Sequence, residues 1–370
     1  MPERSTEDPV RYAVVGLGWF AQVAVLPAFA NAENAELAAL VSGDREKLRV
    51  LGERHGVGRR VGYDGYEELL ASGEVDAVYL VLPNHLHREY TVAAARAGVD
   101  VLVEKPMAVT EAECREMIEA AEDGGVRLMV AYRLHFERAN TKAVGIVRSG
   151  KIGEPRIFSA TFANQVTNED DIRLNPVAKG GGSVWDLGIY CINAARYVFG
   201  AEPTAVTACS ASGSGRFADT EEMTSAVLRF PDGRLASFTS SFGAADSDSY
   251  RVVGTEGELL VEPAYEFKAT LRHRLRVGDE TTEEEFPPPD HVAAELVHFS
   301  GCIRDDREPE PNGHEGLADV RIIEAIHRSA AEGRAIDLEP VEITQRPGPD
   351  QEITRRPAPG HQELVNTEAP

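Results

Sequence analysis

Long apolar runs are missing from this chain, and cysteine, lysine and tryptophan are scarce. No stretch stays apolar long enough to cross a bilayer as a helix, so no membrane partner is expected. The opening residues, MPERSTEDPVRY, are polar and lack the apolar centre of a secretory signal. The four cysteines, Cys114, Cys191, Cys209 and Cys302, have no paired spacing. They read as reduced thiols, which predicts a cytoplasmic protein rather than a disulfide scaffold. Positive charge is in the minority: 38 basic against 61 acidic residues leave a net charge of −23. That balance argues against nucleic acid as a partner. It fits an acidic, solvated surface or a saline habitat. His85 and His87 lie close together, but no cysteine or carboxylate cluster completes a ligand set, so no metal is expected. No Gly-x-Ser-x-Gly or paired Cys-His signal points to a covalent nucleophile.

What is present is ample for two domains. The 370 residues are 42% apolar and 27% charged, ordinary values for a globular protein. Short apolar runs at Tyr12–Val15, Glu36–Val41, Asp76–Val81, Asp100–Val103 and Arg127–Ala131 read as strands. Helical patterns near Phe20–Asn31, Asp44–His55, His85–Ala97 and Glu111–Glu122 lie between them. That alternation predicts an α/β domain with a parallel sheet over residues 10–133. Beyond a helix at about 137–149 the character changes. Strand-like runs at 156–163, 204–210, 223–230, 235–242, 250–253 and 258–261 predict an open, mostly antiparallel sheet. With helices near 184–199, 291–304 and 314–331 it forms an α+β domain over residues 134–344. Residues 345–370 are rich in proline, glycine and charge and read as a mobile tail. The acidic runs Glu221-Glu222 and Glu283–Glu285 read as solvated loops.

The first strand runs into "VVGLGWFAQ", which places Gly16-x-Gly18-x-x-Ala21 at a strand-to-helix turn. The first glycine permits the turn, the second lets a pyrophosphate approach the backbone, and the small third residue allows close packing. Trp19 and Phe20 sit inside the same turn and are counted with the site. The second strand ends at Ser42-Gly43, where NAD-preferring sites usually carry an acidic residue. Arg45 and Lys47 follow closely. A small hydroxyl beside cations suits a 2′-phosphate, so the expected cofactor is NADP. Asp44 keeps NAD as second choice, although it also fits a helix cap.

Three further segments fall at strand ends, where open α/β sheets bind ligands. "LPNHLH" offers Leu82, Pro83, Asn84 and His87; "EKP" offers Glu104 and Lys105; "AYRLHF" offers Arg133, with Tyr132 and His135 beside it. A lysine just past a buried strand, in a chain short of lysine, is placed to point into the crevice. Later, "GGGSVWDLGIY" puts Asp186 and Tyr190 four residues apart, on one helix face. A carboxylate, a phenol and a crevice lysine make a proton-transfer set, because the ammonium lowers the phenol pKa and binds substrate oxygen. From pattern alone, Tyr190 also fits a core tyrosine and Asp186 a helix-stabilising hydrogen bonder.

With "VVGLG", "LPNHLH", "EKP", "GGGSVWDLGIY" and the late "GHEGLADVRIIEAIHRSAAEGR", the chain resembles the family named for glucose–fructose oxidoreductase, inositol dehydrogenase and the rhizopine-catabolism protein. The likeness covers about residues 10–340 and is nearest to the glucose–fructose oxidoreductase and aldose dehydrogenase branch, where the strand-two "VSG" goes with NADP. The resemblance implies a Rossmann domain followed by a substrate and oligomerisation domain. It implies Lys105 as the crevice lysine, Asp186 as a substrate-positioning carboxylate and Tyr190 as acid/base. It also implies that Arg173 in "DIRL" reaches cofactor or substrate. The expected activity is NADP-dependent oxidation of a pyranose such as D-xylose or D-glucose at C1. The alternatives are a transhydrogenase that retains NADP, oxidation at another sugar carbon, or a non-catalytic NADP-binding protein. The branch's namesake has an N-terminal arm that helps hold NADP; only about ten residues precede the first strand here, which favours an enzyme that exchanges its cofactor. Strands "RIFSATFA" and "RLASFTSSFG" carry apolar or small residues on both alternations, which predicts a homodimer or homotetramer joined through the second sheet.

Overall fold

A computed structural model describes residues 8–370 apart from 170, 214, 340, 344–345, 358–362 and 369–370. Its first half is a six-stranded, all-parallel sheet. In chain order the strands are β1 (Val10–Val15), β2 (Ala35–Val41), β3 (Arg59–Val61), β4 (Ala77–Leu80), β5 (Asp100–Glu104) and β6 (Leu128–Ala131). Their spatial order is β3-β2-β1-β4-β5-β6, so the chain reverses direction across the sheet between β1 and β4. A crevice at that switch point, outside the carboxyl ends of the strands, follows from the topology.

The strands are apolar on both alternations because both faces are covered. Tyr12 and Val14 of β1 enter one core, whereas Ala13 and Val15 enter the other. The first core is roofed by a helix late in the chain, α8 (His291–Arg304), through Val292, Leu296 and Phe299. Tyr12 Oη and Ser300 Oγ are 2.9 Å apart across that contact. α8 therefore serves the dinucleotide sheet although its sequence position assigns it to the second domain. The other core runs without a break into the second half, taking in Trp185, Ile323 and Phe158.

The second half is a nine-stranded sheet in the order β14-β13-β12-β11-β7-β10-β9-β8-β15, in which β11 is Ser247–Gly254, β12 is Gly257–Val261 and β15 is Ile336–Asp337. The members that matter below are β7 (Pro155–Ala163), β9 (Met223–Arg229) and β10 (Leu235–Ser241). β7 and β10 pair in parallel and the other neighbours are antiparallel. Three strands of this sheet escaped the sequence reading, β13 (Leu271–Val277), β14 (Glu280–Phe286) and the two-residue β15, as did β3 of the first sheet. Glu283–Glu285, expected in a loop, lie on β14, where Glu285 accepts from Arg272 at 2.9 Å. Glu221, also expected in a solvated loop, is buried. Its carboxylate accepts from the Val184 N–H at 3.2 Å and occupies the space beside Gly182, whose φ of +105° and whose missing side chain leave room for it. Helices α7 (Ile189–Phe199) and α9 (Gly313–Glu332) pack on one face, against β7 and β8 (Ala205–Ala211). The other face is open. Ile157, Val227 and Leu235 stand 51%, 43% and 46% exposed on it, in register with Ser159 and Ser237 along β7, β9 and β10.

Composition assigns the last residues to a mobile tail; their described parts are tied down instead. The Ile353 N–H reaches Phe136 O at 3.1 Å, the Asp290 N–H reaches Arg355 O at 3.4 Å, and Val365 packs against the first core. Among the described residues no helix is long and apolar enough to cross a membrane.

Candidate active site

The glycine turn after β1 leaves Gly16 at φ +94°, with its α-carbon so close to β4 that a Cβ would lie 2.2 Å from Val81 O. Only glycine fits that combination. Gly18 differs: a Cβ there would meet nothing within 4 Å, so this face of the turn is open. Ala21 is fully buried and starts the helix, which opens as a π-turn at Ala21–Val25. The open face of the turn borders a cavity of about 830 Å³ at the sheet's switch point.

Strand ends deliver most of the expected residues to that cavity. Gly16, Gly18, Trp19 and Phe20 line it after β1, and Ser42 and Lys47 after β2. Leu82, Pro83 and Asn84 line it after β4, Glu104 and Lys105 at the end of β5, and Arg133 after β6. Asn84 Nδ2 is held by Gly180 O at 2.8 Å. Four expected contacts do not line it. Ala21 lies beneath the turn, and Gly43 faces the Tyr63 ring. Arg45, at the first position of α2 (Arg45–His55), points to solvent. His87 is fully buried, its ring nitrogens 2.9 Å from Pro106 O and 2.8 Å from Leu82 O. It ties two crevice loops together, and burial holds its pKa below the ordinary histidine value despite the two carbonyls. Tyr132 and His135, beside Arg133, are buried off the cavity. Among the described residues no group of three or more His, Cys, Asp or Glu is placed to hold a metal.

Asp44 caps α2: its Oδ1 accepts from the Glu46 and Lys47 N–H groups at 2.9 and 3.1 Å. Its other oxygen accepts from Asn366 Nδ2 at 3.0 Å. Both oxygens are therefore engaged, which leaves Ser42 and Lys47 as the polar groups of β2's end that face the cavity.

The opposite wall comes from the second half. Asp186 sits in a π-turn at Val184–Gly188 that leads directly into α7, and Tyr190 is the second residue of α7. The wider turn puts both side chains on the cavity, as the four-residue spacing predicts. Lys105 Nζ donates to Asp186 Oδ1 at 2.7 Å and to Asp186 O at 3.0 Å. Arg173 Nε donates to Asp186 Oδ2 at 2.6 Å. Lys105 Nζ lies 4.8 Å from the Tyr190 ring centroid, and the Arg133 guanidinium lies 5.0 Å from it on its own account. Burial alone would raise the Asp186 pKa, but the charges of Arg173 and Lys105 overcome it and hold the carboxyl below its ordinary range. Burial would lower Lys105, but Asp186 outweighs burial and the ammonium is held above its ordinary value. The result is an ionised cluster at neutral pH whose lysine is a hydrogen-bond donor rather than a base.

Several cavity residues gave no sequence signal. Phe267, in the loop before β13, packs edge-on against Trp19 and Phe20 at 6.2 and 6.1 Å and leans over the glycine turn. Glu295 arrives from α8. It is 3.5 Å from Tyr79 Oη, which donates to Glu104 at 2.8 Å. Burial pushes Glu104 up to about 7, and burial with the Glu104 charge pushes Glu295 well above the ordinary glutamate value. Glu295 Oε1 is buried with no hydrogen-bond partner among the described residues, an acceptor waiting for a donor. No local pattern in 291–304 announces it, because a buried glutamate on a helix reads as a surface residue.

This donor and acceptor set fits a dinucleotide. An open glycine turn at a helix start suits a diphosphate, a hydroxyl with a lysine suits a 2′-phosphate, and an unpaired buried carboxyl oxygen suits a carboxamide N–H.

Comparison with known proteins agrees with that reading. Residues 10–132 match the model of the GFO/IDH/MocA oxidoreductase family, described as having an NAD-binding Rossmann fold, and residues 140–260 match the GFO/IDH/MocA C-terminal domain. A D-xylose 1-dehydrogenase [NADP(+)] of Haloarcula marismortui is 33% identical over 343 residues, 91% of this chain and 95% of that protein. A D-xylose 1-dehydrogenase (NADP(+)) of Haloferax volcanii is 32% identical over 89% of this chain and 99% of its own length. The crystal structure of an aldose-aldose oxidoreductase from Caulobacter crescentus, complexed with glycerol, superposes with a TM-score of 0.85 at 39% identity, covering 89% of this chain and all of that one.

Proposed function

The chain belongs to the GFO/IDH/MocA oxidoreductase family, and from that premise we propose that it is an NADP-dependent aldose 1-dehydrogenase oxidising a pyranose of the D-xylose or D-glucose type to its lactone. One observation carries the reading: Lys105, Asp186 and Tyr190 converge on the cavity that also holds the glycine turn and Ser42. NADP, when bound, supplies the acceptor for the hydride leaving the sugar's C1. Gly16, Gly18, Trp19, Phe20, Ser42 and Lys47 hold its adenosine and diphosphate half. Leu82, Pro83, Asn84, Glu104 and Arg133 flank the nicotinamide half.

The protein's own groups handle the proton. Tyr190 takes it from the anomeric hydroxyl. The Lys105 ammonium, 4.8 Å from the Tyr190 ring centroid, binds the sugar oxygen as negative charge develops there. Asp186, gripped from two sides, keeps that ammonium charged and aimed, and its remaining lone pairs accept from sugar hydroxyls. Arg173 completes the grip and borders the sugar. Residues 10–133 then act chiefly on the cofactor and 134–344 chiefly on the sugar. The relatives named as NADP-linked xylose dehydrogenases support both the cofactor and the substrate class.

The enzyme works in the cytoplasm as a homodimer or a dimer of dimers joined through the open face of the second sheet. Ile157, Val227 and Leu235 among flat hydroxyl-bearing rows make a surface that a second copy covers well. The test of activity is a spectrophotometric screen of NADP and NAD reduction against aldoses, inositols and amino sugars. Reduction of NADP by an aldose, with lactone as product, is the expected result. Turnover restricted to inositols, or none with any sugar, would overturn it.

A further inference from the structure

The described end of the chain returns to the cofactor groove. Arg54 Nη1 donates to Glu363 O at 2.9 Å. Two residues on, the buried Gln22 amide grips Val365 from both sides: Val365 N–H donates to Gln22 Oε1 at 2.8 Å, and Gln22 Nε2 donates to Val365 O at 2.9 Å. Gln22 Nε2 also reaches Leu17 O, inside the glycine turn, at 3.1 Å. The Val365 side chain packs on the same core as Phe20. Asn366 then donates to Asp44, and Asn366, Thr367 and Glu368 form part of the cavity wall with Ser42 and Lys47. A surface tail with no task would not be expected to supply a backbone partner to a buried amide, because the amide would pay for two lost hydrogen bonds whenever the tail lifted.

We propose that residues 363–368 are a retaining strap of the dinucleotide site, closing its adenosine end over Ser42 and Lys47 so that the nucleotide leaves only when the strap lifts. The inference rests on the NADP reading above. It adds that the strap slows cofactor exchange, which no motif in the glycine turn or at the end of β2 accounts for. The ligand class is a dinucleotide bearing a 2′-phosphate. Asn366 has a second effect: by engaging Asp44, it keeps a carboxylate away from the position that a 2′-phosphate needs.

The measurement is the dissociation rate of NADPH from the full-length protein. NADPH-loaded enzyme is chased with excess NADP, and the loss of energy transfer from tryptophan to NADPH is followed by stopped flow. Val365→Pro removes the N–H that Gln22 holds, and Asn366→Ala removes the bond to Asp44; neither alters the glycine turn. Each lost hydrogen bond is expected to speed release by about 2- to 12-fold, and the double variant by more than either single. Asn366→Ala is also expected to narrow the preference for NADPH over NADH. Off-rates within about twofold of wild type in both variants would overturn the strap, whether or not the melting temperature moves. A wild-type protein that binds NADH but not NADPH would overturn the cofactor reading first, and the strap with it.

Discussion

Replacing Asp186 by asparagine keeps the shape of the site and removes one charge. In the native cluster that charge sits 2.7 Å from Lys105 Nζ and 2.6 Å from Arg173 Nε. At an effective dielectric constant of about 20, unit charges about 4 Å apart interact by about 4 kcal/mol. That corresponds to about 3 pKa units. The native carboxylate raises Lys105 above its ordinary value against the pull of burial. Its stabilising effect is therefore present below the unfolded lysine pKa and lost as pH rises through the folded one. Asp186 itself, held low, contributes stability above about pH 4 that is lost as pH falls through its folded pKa. In Asp186→Asn, burial and the Arg173 charge act on Lys105 without opposition, and its pKa is expected to fall below the ordinary lysine value. Two readouts follow. The profile of kcat/KM against pH should break downward at a lower pH in the variant than in wild type, which keeps its lysine charged further into the alkaline range. The variant's thermal stability should also rise with pH across that range, because its unfolded state binds the proton more tightly than its folded state. Lys105→Ala provides the limit, with a loss of about two to four orders of magnitude in rate and no such break. An Asp186→Asn enzyme whose pH–rate profile and stability slope both track wild type would refute the claim that Asp186 sets the charge of Lys105.

Ser42→Asp should place a carboxylate where a 2′-phosphate belongs and shift the ratio of NADP to NAD efficiency by about two orders of magnitude toward NAD; a native enzyme that already prefers NAD would contradict the assignment of Ser42 and Lys47. Gly16→Ala should destabilise the protein by about 1–3 kcal/mol in urea titration, because the new methyl meets Val81 O at a positive φ; an unchanged midpoint would mean that the β1–β4 approach is looser than described. Val227→Glu should drive the protein to a 40.2 kDa monomer in light scattering, because it sets a carboxylate on the open sheet face of every subunit; a wild type that is itself monomeric at micromolar concentration would remove that interface.

Much of the architecture was legible because parallel strands buried on both faces are unbroken apolar runs. β1, β4 and β5 read that way directly. β14 did not. Its sequence, ETTEEEF, has the composition of a solvated loop, yet it pairs with LRHRLRV on β13 through Arg272 and Glu285 across the ladder. The pairing makes that strand, not an intrinsic preference, and pairing partners are invisible locally. Glu221 was misread for a related reason: acidity is a property of the residue, whereas its burial against the Val184 N–H is a property of the fold.

The sequence by itself determined the glycine turn, the crevice lysine and the Asp186/Tyr190 spacing. Each of these is a local demand: a backbone angle that only glycine meets, a strand end, one face of a helix turn. Tertiary structure alone decided what those groups touch. It set Arg173 against Asp186, brought Glu295 from α8 and Phe267 from the loop before β13 to the same cavity, buried His87 away from it, and laid Asn366 across Asp44. Those contacts join residues up to 322 positions apart. Their energies come from burial and from charges held within about 4 Å, and neither quantity exists until the chain has closed on itself.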